Sequence, residues 1–377
     1  MFAAMNACAA KTNLLGLTRS ELEAFVTSMD EKPFRARQLM KWVYKRCVSD
    51  FDQMTDLAKS FRERLKELAE VRPPEIALAQ ASADGTRKWL LAMGSAQGIN
   101  QAVEMVFIPE PGRGTLCISS QIGCAMDCTF CSTAQQGFNR NLSVAEIVGQ
   151  VWLANRELGF APGQDRVITN VVFMGMGEPL ANHRNVVPAA KILMDDLGFD
   201  ISRRRVTVST SGLVPQMLRL AQETNCALAV SLHAPNDRLR NELVPINRKH
   251  PIAELLDACW QYVNKQNARS ITFEYVMLDG VNDRPEHAHE LVRLLKDRPV
   301  KINLIPFNPF PGTRYRRSSA EAIEQFRDIL NANGVIATIR RTRGDDIDAA
   351  CGQLVGRVHN RTTVRLGSKL ASVAVQP

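Results

Sequence analysis

Three cysteines lie close together in the chain, and their spacing is suited to a metal centre. Cys124, Cys128 and Cys131 follow the pattern C-x3-C-x2-C, and Gly123 precedes the first of them. Cysteine thiolates hold iron–sulfur clusters, and three ligands on one loop leave the fourth iron of a [4Fe–4S] cluster open to a small molecule. Structural zinc prefers four ligands, usually in two separated pairs, and no fourth Cys or His follows closely. The spacing therefore favours a [4Fe–4S] cluster over zinc or over three unrelated thiols.

A glycine-rich segment is the second candidate element of the site. Gly177 and Glu178 lie near the end of residues 171–179. Glycines at a strand end let the backbone approach a ligand closely, and a carboxylate can accept from an ammonium group. The segment alone is equally consistent with an ordinary turn. At the cysteine motif, where Phe130 precedes the last cysteine, the chain resembles the radical S-adenosylmethionine (SAM) superfamily, in which such a segment meets the amino group of SAM.

Polar residues recur where successive predicted strands end. Ser209 ends the third strand, Ser231, Leu232 and His233 end the fourth, and Asn308 follows the sixth. Each one alone is more often a capping or turn residue, and His233 is as often structural as it is a ligand. Their recurrence at one edge of the sheet predicts a cofactor site.

Two further cysteines and one carboxylate are candidates for chemistry. Cys117 precedes the cysteine motif, and Cys351 lies among small residues that suit a mobile loop entering a cleft. Both are also consistent with buried apolar positions. Glu104 lies in an otherwise apolar strand, where an unpaired carboxylate is costly, so it either has a polar partner or serves as a base.

These residues need a scaffold, and the pattern after Thr115 is that of alternating strands and helices. Short apolar runs separated by amphipathic segments indicate a parallel sheet covered by helices, with ligands at the carboxyl ends of the strands. About six units are present, too few for a closed eight-unit barrel, so we expect an α/β fold with an open, partial βα barrel. The predicted strands are 116–119, 167–174, 205–209, 227–231, 272–276 and 301–305. The predicted helices are 144–158, 185–197, 214–221, 252–264, 286–296 and 320–332.

The chain before this barrel divides into two smaller parts. Residues up to about Glu70 are predicted to be helical, with a capping box at Thr18 and Glu21, and two strand-like runs follow at 88–93 and 101–108. We expect a helical accessory domain at 1–75, a β-hairpin extension at 76–113, the barrel at 114–345, and a loop and tail with Cys351 at 346–377.

Composition limits the class of protein. The chain has 377 residues, is 45% hydrophobic and has a net charge of +8, so it can bury a core and bind nucleic acid. No apolar run is long enough to span a bilayer, and residues 1–10 lack the basic start of a secretory signal. Nine cysteines, three of them clustered, favour cytosolic thiols and a metal site over a disulfide framework. We therefore expect a cytoplasmic protein that does not interact with membranes.

Over nearly its whole length the chain resembles the RlmN-type adenine C2-methyltransferases of ribosomal and transfer RNA. The segments that carry this resemblance are residues 31–37, 131–141, 174–180, 231–236, 302–312 and 343–353. The resemblance implies that Cys124, Cys128 and Cys131 hold the cluster. It implies a SAM pocket formed by Gly177, Glu178, Ser209, Ser231, Leu232, His233 and Asn308. It also implies that Cys351 accepts a methyl group, Glu104 is the base, and Cys117 resolves the intermediate as a Cys117–Cys351 disulfide.

The chemistry explains why such an apparatus is needed. Carbon 2 of adenine is an electron-poor C–H without a lone pair, so it cannot displace the methyl group of SAM directly. The resemblance implies that a second, cluster-bound SAM yields a deoxyadenosyl radical that abstracts hydrogen from methylated Cys351. The carbon radical then adds to the base, and the covalent protein–RNA adduct is resolved.

The resemblance also implies partners: 23S rRNA, tRNA and an electron donor such as flavodoxin, with a monomer favoured. Basic runs at 203–205, 314–317 and 340–343 are candidates for phosphate contact, although any one of them is more often a solvated surface. Two alternatives stay open. One is methylation of adenine carbon 8 by the same chemistry, and the other is a nonenzymatic iron–sulfur protein that binds RNA.

Overall fold

The computed structural model describes residues 11–94, 101–266, 270–350 and 352–356. The strands are β1 Thr12–Asn13, β2 Ala69–Glu70, β3 Glu75–Ala81, β4 Arg87–Met93, β5 Gln101–Glu110, β6 Arg113–Cys117, β7 Gln121–Gly123, β8 Phe138–Asn141, β9 Asn170–Phe173, β10 Val206–Thr210, β11 Ala227–Ser231, β12 Ile271–Met277, β13 Val300–Pro306 and β14 Ile336–Ile339. The α-helices are α1 Arg19–Thr27, α2 Phe34–Met40, α3 Lys59–Leu68, α4 Ser132–Gln135, α5 Val144–Glu157, α6 His183–Met194, α7 Val214–Glu223, α8 Asp237–Leu243, α9 Ile252–Gln266, α10 Pro285–Leu295 and α11 Ala320–Ala332.

The first part of the chain is helical and packs onto α5. The predicted capping box begins α1, where the Thr18 N–H donates to Glu21 Oε2 at 2.8 Å. The short strands β1 and β2 pair in parallel and bring the two ends of this part together. The indole of Trp152 on α5 donates to the Val43 carbonyl at 2.8 Å, and the buried apolar residues form one continuous cluster with those of the main sheet.

One mixed sheet contains all the longer strands. Within the described residues its order is β14-β13-β12-β11-β10-β9-β6-β5-β4-β3. The strands from β3 to β6 run antiparallel to their neighbours, whereas β6 and β9 to β14 are parallel. The β-extension, which comprises β3, β4 and β5, therefore continues the parallel sheet directly.

The expected α/β architecture is confirmed, and the expected parallel sheet is part of a larger mixed sheet. The six predicted parallel strands and the helices between them are present, with bounds that differ by a few residues. The first strand is shifted: β6 begins at Arg113 because it pairs with β5 through Glu110, and it ends at Cys117. Elements that the sequence did not indicate are β1, β2, β3, β7, β8 and β14 and the short helices α4 and α8. None of the described helices combines the length and apolarity that a membrane crossing requires.

Candidate active site

The three clustered cysteines lie in one loop that hydrogen bonds close. Strands β7 and β8 form a small antiparallel ladder on either side of it, and the Cys124 N–H donates to the Gly137 carbonyl at 2.8 Å. The Cys131 N–H donates to the Cys128 carbonyl at 3.2 Å, and α4 begins at the next residue. These hydrogen bonds hold the backbone of the loop that carries the three thiols.

The surroundings of these thiols fit a multi-iron cluster. Burial raises the pKa of Cys124 and Cys128, and mutual repulsion with Cys131 adds to it. Iron would supply the positive charge that makes the thiolates stable there. Within the part of the chain that the structure describes, no group of three His, Cys, Asp or Glu converges on a single metal ion. A [4Fe–4S] cluster makes no such demand, since each thiolate binds a different iron.

A cavity of about 170 Å³ joins the cysteine loop to the strand ends. The predicted site residues on its wall are Cys124, Cys128, Cys131, Gly177, Glu178, Ser209, Ser231 and His233. Leu232 is fully buried beside this cavity and is not part of its wall, and Asn308 lines a neighbouring cavity instead. Most of the predicted cofactor residues are therefore brought together, because parallel strands place their carboxyl ends at one edge.

The glycines of the glycine-rich segment are required by packing within the protein. A Cβ on Gly175 would lie 2.7 Å from the Ile118 carbonyl oxygen, and one on Gly177 would lie 2.5 Å from Gln121 Cβ. Gly177 also has a φ of +98°, which disfavours other residues. The close backbone approach expected from the sequence therefore occurs, but to the segment that leads into the cysteine loop. This contact packs that segment against the end of β9.

Glu178 is buried, and protein donors bind both of its carboxylate oxygens. Oε1 accepts from the Leu180 N–H at 3.0 Å, and Oε2 accepts from the Ser211 N–H at 2.8 Å and from the Ser211 hydroxyl at 2.9 Å. Burial raises the pKa of Glu178, and these hydrogen bonds oppose the shift. The carboxylate is thus held rigidly at the cavity wall.

His233 is held as a neutral imidazole. Burial lowers its pKa to about 3, with a smaller effect from the charge of Arg240. Its Nδ1 accepts from the Val276 N–H at 3.0 Å, so the ring proton is on Nε2. Phe130 packs edge-on against the ring at a centroid distance of 4.6 Å. This histidine is both a structural acceptor and a wall of the cavity.

A buried arginine connects the strand ends by hydrogen bonds. The sequence analysis did not single it out. Arg240 on α8 is fully buried and donates to the carbonyls of Ser211, Ser231 and Leu232 and to Asn247 Oδ1. It therefore fixes the carboxyl ends of β10 and β11, where four of the predicted cofactor residues lie. No periodic signal marks it, because arginine in a short helix is usually exposed.

Glu274 lines the cavity wall, and the sequence analysis did not single it out either. It is buried on β12, where it accepts from Asn303 Nδ2 at 2.9 Å and lies 3.7 Å from Arg340 Nη1. Burial raises its pKa. The signal that singled out Glu104, a carboxylate within an apolar strand, also marks Glu274.

Cys117 and Asn308 line a second, smaller cavity of about 50 Å³. Its wall also contains Ala349 and Ala350, which directly precede Cys351 in the chain. Cys351 itself lies outside the described residues. Cys117 ends β6 and is buried, with its neighbours Val106 and Val172 on the adjacent strands also lining this cavity. The structure thus places the predicted resolving cysteine beside the chain that leads to the predicted methyl carrier.

Glu104 has polar partners, which was the first of the two alternatives left open by its sequence. Its Oε1 lies 3.2 Å from Lys88 Nζ, and its Oε2 accepts from the Val355 N–H at 2.9 Å. Val355 lies four residues after Cys351 in the chain. The carboxylate therefore contacts the segment that carries the predicted methyl acceptor.

The basic runs lie at opposite edges of the sheet. Arg203–Arg205 directly precedes β10 and so lies at the amino end of the strands, away from the cavity. The runs at 314–317 and 340–343 follow β13 and β14 at the carboxyl edge, and Arg340, Arg341 and Arg343 line the second cavity.

Comparison with known proteins agrees with this geometry. Residues 12–71 match the ribosomal RNA large subunit methyltransferase N-terminal domain, and residues 118–295 match the radical SAM superfamily. The chain is 57% identical over 359 residues to the dual-specificity RNA methyltransferase RlmN of Marinobacter nauticus, covering 95% of this chain and 96% of that protein. The crystal structure of a radical SAM methyltransferase from Sphaerobacter thermophilus is 44% identical and superposes with a TM-score of 0.83, covering 91% of this chain and 99% of that one. The chain belongs to the RlmN family of radical SAM methyltransferases.

Proposed function

We propose that this enzyme methylates carbon 2 of adenine in 23S rRNA and in tRNA, with Cys351 as the carrier of the methyl group. The observation that carries the proposal is the adjacency of two cavities. One contains the three clustered cysteines and the strand ends, and the other contains Cys117 beside the residues that precede Cys351. The printed name of the Marinobacter relative, a dual-specificity RNA methyltransferase, supports RNA as the substrate.

As a radical SAM enzyme the protein uses a [4Fe–4S] cluster and SAM. We assign Cys124, Cys128 and Cys131 as the cluster ligands, since all three line one cavity and burial disfavours free thiolates at Cys124 and Cys128. When bound, cluster and SAM supply the radical that abstracts a hydrogen atom. The residues assigned to the SAM pocket are Gly177, Glu178, Ser209, Ser231, Leu232, His233 and Asn308.

The residues assigned to the SAM pocket contribute different contacts in this proposal. The fixed carboxylate of Glu178 accepts from the ammonium group of SAM. Neutral His233 contributes an Nε2–H donor without adding a positive charge next to the sulfonium. Leu232 supplies backbone or apolar contact from beside the cavity, and Asn308 acts from the adjoining one.

Three residues act on the RNA base. Cys351 takes a methyl group from SAM and later carries the methylene radical to carbon 2. Glu104 would remove the proton from carbon 2, and the adduct would return one electron to the oxidised cluster. Cys117 would then attack the sulfur of Cys351 and break its bond to the methylene carbon, which takes up a proton to become the methyl group while a disulfide joins the two cysteines. The position of Cys117 beside Ala349 and Ala350 and the contact of Glu104 with Val355 support this division of roles.

The remaining proposals concern the domains, the electron donor and the RNA contacts. We propose that the sheet curves as a partial barrel at 114–345, and that residues 1–75 form an accessory domain that contacts RNA. We propose that 76–113 is the β-extension with its linker, and that 346–377 carries the catalytic cysteine. A flavodoxin-like donor reduces the cluster of a cytoplasmic monomer in this scheme. Basic residues at the carboxyl edge are the proposed phosphate contacts.

The test is anaerobic reconstitution of the protein with iron and sulfide, followed by incubation with SAM, a reductant and unmodified RNA. Digested RNA is then compared with standards of 2-methyladenosine and 8-methyladenosine by mass spectrometry. Formation of the first isomer, together with 5′-deoxyadenosine, is the expected result. The second isomer would assign the carbon 8 reaction, and absence of 5′-deoxyadenosine would leave a nonenzymatic RNA-binding protein.

A further inference from the structure

Lys88 is a buried cation within the β-extension, and it has no role in the reaction proposed above. It lies within the apolar run of β4, and its side chain is 8% exposed. A buried ammonium is costly unless it is paired, and among the described residues this one has two partners. Nζ lies 3.2 Å from Glu104 Oε1 and donates to the Asp348 carbonyl at 3.3 Å.

The register of the hairpin explains why Lys88 reaches Glu104. Leu90 on β4 lies opposite Glu104 on β5, and Lys88 lies opposite Val106. Residues two positions apart share one face of a sheet, so Lys88 and Glu104 are diagonal neighbours within reach of a long side chain. The pairing is built into the strand alignment and needs no loop to form it.

Glu104 is fixed from several other directions as well. Its second carboxylate oxygen accepts from the Val355 N–H at 2.9 Å. Its backbone carbonyl accepts from the Ser119 hydroxyl at 2.6 Å, and its backbone N–H donates to Met176 Sδ at 3.4 Å. Among the described contacts, Lys88 is the one that supplies a positive charge to the carboxylate. An ion pair at this distance restrains the direction in which the carboxylate points.

The burial of Lys88 also separates it from the role that lysine usually has in an RNA-modifying enzyme. A phosphate contact requires an exposed ammonium, as a point charge on a flexible stem. Lys88 instead points to a carboxylate and a backbone carbonyl. Asp348 lies three positions before Cys351 in the sequence, so the lysine joins the β-extension both to the base and to the C-terminal segment.

We propose that Lys88 is a positioning residue for the methyl transfer, and that it acts by holding the carboxylate of Glu104 at the place from which this residue takes the proton of carbon 2. This inference rests on the proposed function. It assigns the β-extension a task in the reaction, namely to carry the base and its counter-ion on adjacent strands.

The experiment compares Lys88→Met, Lys88→Arg and Glu104→Gln in the full-length, cluster-loaded enzyme. General-base steps contribute about 10²- to 10⁴-fold, so Lys88→Met should form 2-methyladenosine at least about thirtyfold more slowly. Cluster absorbance should be unchanged, methyl should still appear on Cys351, and a covalent RNA adduct should accumulate as in Glu104→Gln. Lys88→Arg, which restores the positive charge, should recover most of the rate. The matched control is Arg87→Met, an exposed neighbour on the same strand, which should behave as wild type.

The double variant Lys88→Met/Glu104→Gln separates this role from a purely structural one. If Lys88 acts through Glu104, the double variant should be no slower than Glu104→Gln alone, whereas independent roles multiply. Multiplying effects, a wild-type rate in Lys88→Met, or loss of Cys351 methylation without any adduct would each overturn the inference. Lys88→Gln, which keeps an N–H donor without charge, takes the place of Lys88→Met if the latter does not retain the cluster. If the wild-type enzyme itself forms no 2-methyladenosine, it is the proposed function that fails.

Discussion

The guanidinium of Arg240 donates to the Ser211 carbonyl at 2.7 Å, and this bond joins helix α8 to the end of strand β10. The same side chain bonds the carbonyls of Ser231 and Leu232 at the end of β11. The guanidinium of Arg240 therefore stabilises the site only while each of its acceptors remains hydrogen-bonded to it.

Replacing Arg240 by Leu should strongly destabilise the protein. The substitution leaves buried carbonyl oxygens without donors, and we expect a loss of about 3–5 kcal/mol in the free energy of unfolding. Urea unfolding followed by circular dichroism measures it, with the exposed Arg238→Leu on the same helix as the control. Equal unfolding midpoints for the two variants would contradict this account of Arg240.

Removing any one cluster cysteine should abolish the iron–sulfur absorbance and all cleavage of SAM. Cys124→Ala, Cys128→Ala and Cys131→Ala each delete one of three protein ligands. Iron content and visible absorbance after anaerobic reconstitution are the measurements. Cys259→Ala, at a fully buried position in α9, is the control and should keep the cluster. A variant among the first three with full iron content and activity would show that the ligands are wrongly assigned.

His233 should make the protein less stable as the pH falls below about 6.5. Burial lowers its pKa to about 3 in the folded state, so the unfolded chain binds the proton more readily between these values. The stability that it contributes is complete above pH 6.5, and about 2 kcal/mol of it is lost by pH 5. The measurement is the free energy of unfolding of the wild type and of His233→Asn from pH 5 to pH 8. Parallel curves for the two proteins would rule out a neutral, buried imidazole.

The two edges of the sheet should differ in their effect on RNA affinity. Arg314→Gln with Arg316→Gln removes charge at the carboxyl edge, and each lost phosphate contact lowers the salt slope by about 0.7 for single-stranded RNA. Arg203→Gln with Arg204→Gln removes the same charge at the amino edge and should leave the slope unchanged. Fluorescence titration at several salt concentrations distinguishes the pairs, and the opposite pattern would move the RNA interface to the amino edge.

Cys117 and Cys351 should fail at different steps. Cys351→Ala should keep the cluster but acquire no methyl group and form no product. Cys117→Ala should still methylate Cys351 and add to the base, and should then stall with RNA covalently attached through Cys351. Denaturing electrophoresis and peptide mass after ribonuclease digestion identify the species. A normal turnover rate in Cys117→Ala, or attachment through another cysteine, would refute the two-cysteine mechanism.

Much of the scaffold could be predicted from the sequence because its signals are local. The apolar run at 227–231 matches β11 in full, and the helix predicted at 320–332 matches α11, since both show strong periodicity and clear turns. The capping box at Thr18 and Glu21 was equally local. In contrast, β3 has mostly exposed residues, and it forms a strand because β4 offers a partner along its whole length.

The sequence indicated those site residues whose type alone suggests chemistry, such as the cysteines. It did not indicate residues that act through a partner. The cysteine spacing pointed to the cavity because the three cysteines are close in sequence, and the strand ends did so because parallel strands place their carboxyl ends at one edge. Lys88 and Arg240 escaped notice since their partners, Glu104 and the carbonyls of Ser211 and Ser231, are distant in sequence or lie in the backbone. The placement of Arg203–Arg205 at the amino edge likewise follows only from the strand direction.

The C-terminal segment is held by residues that emerge from the ribosome long before it. The Gly352 carbonyl accepts from the Ser132 N–H just after the cysteine loop, and the Leu354 carbonyl accepts from the Thr133 hydroxyl. Because contacts of such large sequence separation form late, the cysteine loop can fold and take up iron while that segment is still being synthesised. The segment that bonds to the cysteine loop is thus synthesised after that loop, so the loop can bind iron before the segment is in place.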